Sequence, residues 1–270
     1  MERYLGCNVS KIDVRDYKIN SKMVRAAIFP ESFELAKRMP VKSQGMVSSC
    51  VAHAMSSILE YHICYDKKLS TNFIYGIRSY LYNSKGFGMF LRDALNIVLK
   101  YGDMTYIDCP GNNEIEEVYD KAKVAFDNPN KLNRAAGYRI KSYALLHSNG
   151  DIKYALMNFG PVLISTKWYD KEEFNKEDDT ITFDTESEYG YHALVLYGWN
   201  EKGWLCQNSW GNKWGNKGYF VLPYKYELTE AYSVIPTETR EDEIIQPLNG
   251  KIWEIIAKIL NKIVNIILKR

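Results

Sequence analysis

Cysteine is scarce in this 270-residue chain. The five residues Cys7, Cys50, Cys64, Cys109 and Cys206 are odd in number, scattered and never paired as CxxC, so neither a disulfide framework nor a zinc knuckle is expected. Histidine is rarer still: there are four, with no His-x3-His arrangement, which argues against a metal site. Charge of one sign is missing too. The formal net charge is +2, so no global field directs the chain to nucleic acid or to an acidic partner. No run of about eighteen apolar residues occurs, so no membrane-spanning helix is predicted. The opening MERYLGCNVSKIDVRDYK lacks the apolar stretch behind a basic patch that marks a signal peptide. These absences point to a reducing compartment, cytoplasmic or otherwise, or one reached without the general secretory route. No cofactor is expected.

What is present is ordinary globular material. Hydrophobic residues make up 46% and charged residues 25%, enough for one substantial core or two small lobes sharing an interface. Abundant Lys, Ile, Asn and Tyr, including 21 tyrosines, hint at an AT-rich microbial or phage genome. Residues 1–30 read as an extended arm. Apolar spacing of three and four predicts a helix from Ser48 to about Tyr65, others over Thr71–Tyr82 and Leu91–Lys100, and one over Glu114–Phe126 ending near Pro129. Tyr101-Gly102 supplies a C-terminal stop to the third. Beyond these the chain turns β-rich, over Tyr138–Tyr143, Val162–Trp168, Ala193–Tyr197, Trp204–Asn208, Gly218–Leu222 and Ala231–Ile235, with one helix at Asp151–Asn158. Helices first and antiparallel strands second is an α+β layout with two lobes and room for a cleft between them.

Cys50 stands at the start of the first predicted helix, where aligned N–H dipoles favour a thiolate, the form in which a cysteine is a nucleophile. An isolated cysteine there is more often a packed core thiol. The surrounding pattern changes that reading. Pro40-Val41-Lys42-Ser43-Gln44-Gly45 followed by Ser49-Cys50, then Tyr191-His192-Ala193-Leu194-Val195-Leu196-Tyr197-Gly198, then Asn208-Ser209-Trp210-Gly211 with Trp214-Gly215 and Gly218-Tyr219, resemble in order and spacing the three motif blocks of the papain-like (C1) cysteine peptidases. Leu91-Arg92-Asp93-Ala94-Leu95 is similar to a microbial branch of that family.

The resemblance spans about residues 30–235. It implies a helical lobe (31–135), an antiparallel barrel-like β lobe (136–235) and an active-site cleft between them. It also implies peptide or protein substrates and hydrolysis through an acyl-enzyme. Cys50 would be the nucleophile and His192 its base, and later the acid for the leaving amine. Asn208 would orient His192, and the Gln44 amide with the Cys50 backbone N–H would stabilise the oxyanion. Trp210 would shield the His192–Asn208 contact, with plain core packing equally open. Gly88 and Met89 fall in the glycine loop that hydrogen-bonds substrate, although Met89 stands where a second glycine is expected. The disulfide that normally joins the family's CGSC segment to this loop is lost on both sides, in keeping with a reducing environment. Val51 replaces the aromatic residue that usually follows the nucleophile.

The remaining candidates read blandly. His53, His62 and His147 are expected to be surface or satisfied histidines, Cys64, Cys109 and Cys206 reduced core thiols, and Glu172–Glu188 a solvated loop. Residues 236–250 read as a linker. KIWEIIAKILNKIVNIILKR (251–270) reads as an amphipathic helix with a heptad-like isoleucine seam. Three partners for it stay open: its own catalytic domain, another chain, or a membrane surface. Thirty residues before the domain are too few for the family's long inhibitory proregion, so any restraint is expected from the arm or from this helix. Two other functions are carried alongside peptidase activity: a papain-fold binding scaffold, and a related thiol acyltransferase.

Overall fold

The segment predicted as the first helix is α1, Cys50–His62. In this computed structural model, residues 5–237 are described except 12, 14–18, 20–23, 26, 64–66, 84–85 and 112–114. Cys64, most of the expected linker and the helix expected at 251–270 therefore lie outside the described residues. Ser49 precedes α1 without capping it through its side chain, so the open amides of the first turn lie beside Cys50. α2 (Thr71–Tyr82) is capped by the Ser70 hydroxyl, which accepts from Phe73 N. α3 (Leu91–Lys100) ends at Tyr101, and Gly102 follows at φ +82°. A Cβ on Gly102 would lie 1.8 Å from the Ala135 carbonyl, so glycine is required there by space as well as by conformation.

α4 (Ile115–Phe126) ends close to its expected limit, but Pro129 is a start and not a stop. It opens α5 (Pro129–Ala135), whose Asn128 cap accepts from the Asn130 and Lys131 amides. Proline is tolerated at a first helical position because its missing N–H would have no partner there. α6 covers Asn149–Phe159.

Two short strands, β1 (Cys7–Asn8) and β3 (Met89–Phe90), pair in parallel. The main sheet runs β10–β9–β8–β5–β11–β4 in space, from Tyr219–Pro223, Gly203–Gln207, Tyr189–Trp199, Val162–Tyr169, Leu228–Pro236 and Ile140–Leu145 respectively. Its pairings are antiparallel, and β2 (Phe33–Glu34) joins the far end of β8. This is the α+β layout read from the sequence.

Two apolar clusters form on the two sides of β8. Ala193 and Val195 pack with α1, α2 and α3, whereas Leu194 and Leu196 pack with Trp168, Trp204 and Phe220 inside the β lobe. Strand alternation sorts these residues, and it puts His192 on the β-lobe side with Leu194. The stretch Glu172–Glu188 differs from expectation. It contains the hairpin β6–β7, Glu172–Phe174 with Ile181–Phe183, and it buries Ile181 and Phe183 in the β lobe. The carboxylates that suggested a solvated loop alternate with apolar residues whose partners are distant in sequence.

Candidate active site

Three segments converge on Cys50. The first is its own N-terminal loop. Gln44 N donates to Ser209 O at 2.9 Å, and Gly211 N donates to Lys42 O. The Ser209 hydroxyl donates to Gln44 Oε1 at 2.5 Å, while Gln44 Nε2 donates to Val47 O at 2.9 Å. The Gln44 amide is thus fixed from both ends, almost fully buried beside the loop that leads into α1. Ser209 was not singled out by sequence reasoning, although it adjoins Asn208 in the same motif block.

The second segment is β8. His192 faces Thr166 across the β5 pairing and is wholly buried. Its Nε2 lies 2.8 Å from Asn208 Oδ1. Asn208 follows the last paired residue of β9 and is anchored by its own N–H to Gly218 O. Trp210 stacks on the imidazole at 4.8 Å between centroids and 28° between planes. Trp168 meets the same ring edge-on at 5.1 Å. Glu172 accepts from the indole N–H groups of both Trp168 and Trp214, so the β6–β7 hairpin fixes the aromatic wall behind His192. Sequence reasoning missed Trp168 and Glu172, because their contact with the site depends on that hairpin.

The third segment is the arm. Gly6 O accepts from Met89 N at 2.9 Å, and β1 pairs Cys7 with Met89 and Asn8 with Phe90. A Cβ on Gly6 would lie 2.1 Å from the Ser48 carbonyl oxygen, two residues before Cys50. Upstream, Leu5 packs on Gly190. Downstream, Ser10 N donates to Glu230 Oε2 at 3.0 Å and Arg92 donates to Lys11 O. The stretch 5–11 therefore lies along the Gly88–Met89 edge and over Cys50, which has no exposed surface.

Gly88 is at φ +81°, with Gly6 O and Asn8 Oδ1 crowding its missing Cβ. Met89, where a second glycine is expected, packs its side chain in the helical-lobe cluster and donates its main-chain N–H to the arm. Buried Arg78 sets this edge by donating to the carbonyls of Gly86 (2.7 Å), Gly88 (2.9 Å) and Tyr75 (2.5 Å). Arg78→Met is expected to lower stability by about 3 kcal/mol, since it strands buried carbonyls. Urea unfolding checks this, and an unchanged midpoint would remove Arg78 as the support of the edge.

Burial controls the protonation of the pair. Desolvation pushes the Cys50 thiol up to about 11, although backbone groups of Ala193, Gly6, Val51 and Cys50 itself favour the thiolate. Desolvation also pulls His192 down to about 4, with the Asn208 hydrogen bond opposing. His192 Nδ1 makes no hydrogen bond among the described residues. Burial under the arm thus favours the neutral thiol and the neutral imidazole over their charged forms. The helix dipole that favours a thiolate is outweighed by the loss of water.

His53 and His62 are also lowered to about 4 by burial. His53 Nδ1 lies 2.9 Å from Ser49 O, so it is a satisfied interior histidine and not a second base. His147 is exposed. Cys109 and Cys206 are buried free thiols.

Residues 29–234 match the model of the papain family cysteine proteases. An uncharacterised peptidase C1-like protein of Acanthamoeba polyphaga mimivirus is 28% identical over 249 residues, 82% of this chain and 77% of the relative. The viral cathepsin of Cydia pomonella granulosis virus is 27% identical over 203 residues, 72% of this chain but only 57% of that protein's length. Among solved structures, xylellain, a cysteine protease from Xylella fastidiosa, superposes with a TM-score of 0.74 at 21% identity, over 88% of this chain and 99% of that one.

Proposed function

Because the chain belongs to the papain family of cysteine proteases, and is thereby a hydrolase with peptide or protein substrates, we propose that it cleaves peptide bonds at Cys50 through a thiolate–imidazolium pair and an acyl-enzyme. The observation that carries this reading is the 2.8 Å contact between His192 Nε2 and Asn208 Oδ1 under the Trp210 ring. Asn208 accepts the Nε2 proton, so the free tautomer leaves Nδ1 as the basic nitrogen. That nitrogen takes the Cys50 proton when the two meet. The Cys50 thiolate attacks the scissile carbonyl, and the oxyanion is held by the Gln44 amide and the Cys50 backbone N–H. The imidazolium then protonates the departing amine, and water, deprotonated by His192, releases the acyl group. The similarity to virus-encoded relatives supports a viral or phage association.

The arm supplies the restraint. With residues 5–11 along the substrate edge and over Cys50, substrate and arm exclude each other, and the ion pair forms when the arm leaves and water returns. Two shifted groups give this cover a pH dependence. His192 is depressed from its ordinary 6.5 to about 4, so its contribution to the covered state is intact above 6.5 and is lost as pH falls toward 4. Cys50 is raised from 9.0 to about 11, so its contribution is intact below 9.0 and is lost as pH rises toward 11. The cover is therefore firmest between these limits. Acid therefore favours the open form, in which His192 holds the proton that the covered ring does not. Amide hydrogen exchange at Met89 and Ser10, corrected for intrinsic rates, should then lose protection on the order of tenfold between pH 7.5 and 5. Equal protection at both values would contradict the cover's dependence on neutral His192.

A further inference from the structure

The arm carries a cysteine that the peptidase mechanism does not use. Cys7 is 5% exposed and packs in the same apolar cluster as Cys50. Its chain neighbour Gly6 lies against Ser48 and presents its backbone to the Cys50 sulfur. Consecutive Cα atoms are about 3.8 Å apart, so Cys7 stands one residue from the group that touches the reactive thiol. Cys109 and Cys206 have no such placement. Cys109 lies beside Ser70 under α2, and Cys206 is on β9 inside the β lobe. Among the described residues, Cys7 is the one cysteine on the covering segment.

We propose that Cys7 and Cys50 form a reversible redox pair, in which oxidation joins them in a disulfide that locks the arm over the cleft and protects Cys50 from irreversible oxidation. The proposal rests on the reading of Cys50 as the reactive thiol.

The step balances with a peroxide as the named oxidant. When the arm opens, the Cys50 thiolate attacks one peroxide oxygen and the O–O bond breaks, leaving sulfenic acid and hydroxide. The Cys7 thiolate then attacks the Cys50 sulfur, forming the S–S bond and expelling the sulfenic oxygen as hydroxide. The two thiol protons convert both hydroxides to water. Two thiols and one hydrogen peroxide thus become one disulfide and two waters, and two electrons from a dithiol reverse the change.

The mutual electrostatics agree with this sequence. In the covered state burial holds Cys7 well above its ordinary value, and the neighbouring Cys50 raises it further. Neither group is then a thiolate, so oxidation begins from the open form. In the covered state hydrogen bonds run from Met89 N to Gly6 O, from Ser10 N to Glu230 and from Arg92 to Lys11 O. A disulfide needs its Cα atoms within about 7 Å, a distance the two residues meet as the arm of the oxidised, open form returns to the cleft.

The experiment compares the full chain with its Cys7→Ser and Cys7→Ala variants. Each is exposed to hydrogen peroxide at low excess, digested without reductant and mapped by mass spectrometry. A parallel sample is treated with dithiothreitol and then alkylated with iodoacetamide. In the parent chain the expected product is a linked pair of peptides containing Cys7 and Cys50, with Cys50 alkylation restored by dithiothreitol. In both variants Cys50 should carry two added oxygens, and its recovery by dithiothreitol should fall by about tenfold. Cys50 oxidised to sulfinic acid equally in all three proteins, with no linked pair, overturns this proposal alone. Cys50 untouched by peroxide in all three overturns it together with the reading of Cys50 as a reactive thiol. Agreement between the serine and alanine variants separates loss of the thiol from a packing defect at Cys7.

Discussion

Cys50→Ala is expected to lower kcat/KM toward peptides by on the order of 10⁵-fold or more, because the nucleophile, its base and its orienting group act as a unit. Stability should change little, since a thiol-to-methyl exchange at a helix start removes few contacts. Asn208→Ala should behave differently. Cys50, His192 and the oxyanion donors remain, and only the tautomer and aim of the imidazole are lost, so activity should fall on the order of 10³-fold yet stay measurable. His192→Ala should slow alkylation of Cys50 at mildly acidic pH in protein whose arm has been displaced, because the imidazolium that stabilises the thiolate is gone. Steady-state kinetics and alkylation profiles of these variants decide the matter. Complete and equal loss in the Cys50 and Asn208 variants, both folded, contradicts the orienting role of Asn208.

The second large effect is a gain. Gly6→Ala should release the arm, because its methyl group would have to sit 2.1 Å from the Ser48 carbonyl oxygen, well inside any permitted contact. Neither backbone is free to yield. Ser48 is buried in the loop leading into α1, and Gly6 is tied to Met89. With the arm displaced, water reaches Cys50 and His192, and the two desolvation shifts relax together. Return of the thiol from about 11 toward its ordinary 9.0 raises its thiolate fraction, and with it the alkylation rate at pH 7, by on the order of 10²-fold, to which the His192 ion pair adds. Because the variant keeps every residue of the proposed machinery, peptide hydrolysis should rise as well. A folded Gly6→Ala protein with unchanged alkylation and hydrolysis would show that the arm does not restrain the site.

Much of the fold was legible because its signals are local. The apolar spacing of α1, the Tyr101-Gly102 stop after α3 and the three motif blocks each lie within a short window of sequence. The structure realises them within a few residues at each end. The helix ending near Pro129 was legible, but the next one, opening at Pro129, was not, because proline both ends and begins helices and the Asn128 cap is what marks the start.

The site itself was legible in its residue types but not in its supports. Gln44, His192 and Asn208 carry motif signatures. Arg78 looks like any helical arginine until its three carbonyl partners are brought round it, and Glu172 like any loop carboxylate until two indoles point at it. The arm is the extreme case. Nothing near Gly6 says that a backbone more than forty residues away will close to within contact of it, since that approach is a property of the packed lobes. The thiolate expected of Cys50 at a helix start needs water that the covered site excludes, since burial pushes the thiol up to about 11.

The most direct test of the central claim is to map the adduct of a peptidyl epoxide on the Gly6→Ala protein by mass spectrometry, beside Gly6→Ala/His192→Ala and the parent chain. The account predicts one adduct, on Cys50, formed fast in Gly6→Ala, slowly in the parent and slowly again once His192 is lost. An adduct on another cysteine, or none on Cys50 with the arm displaced, would contradict it.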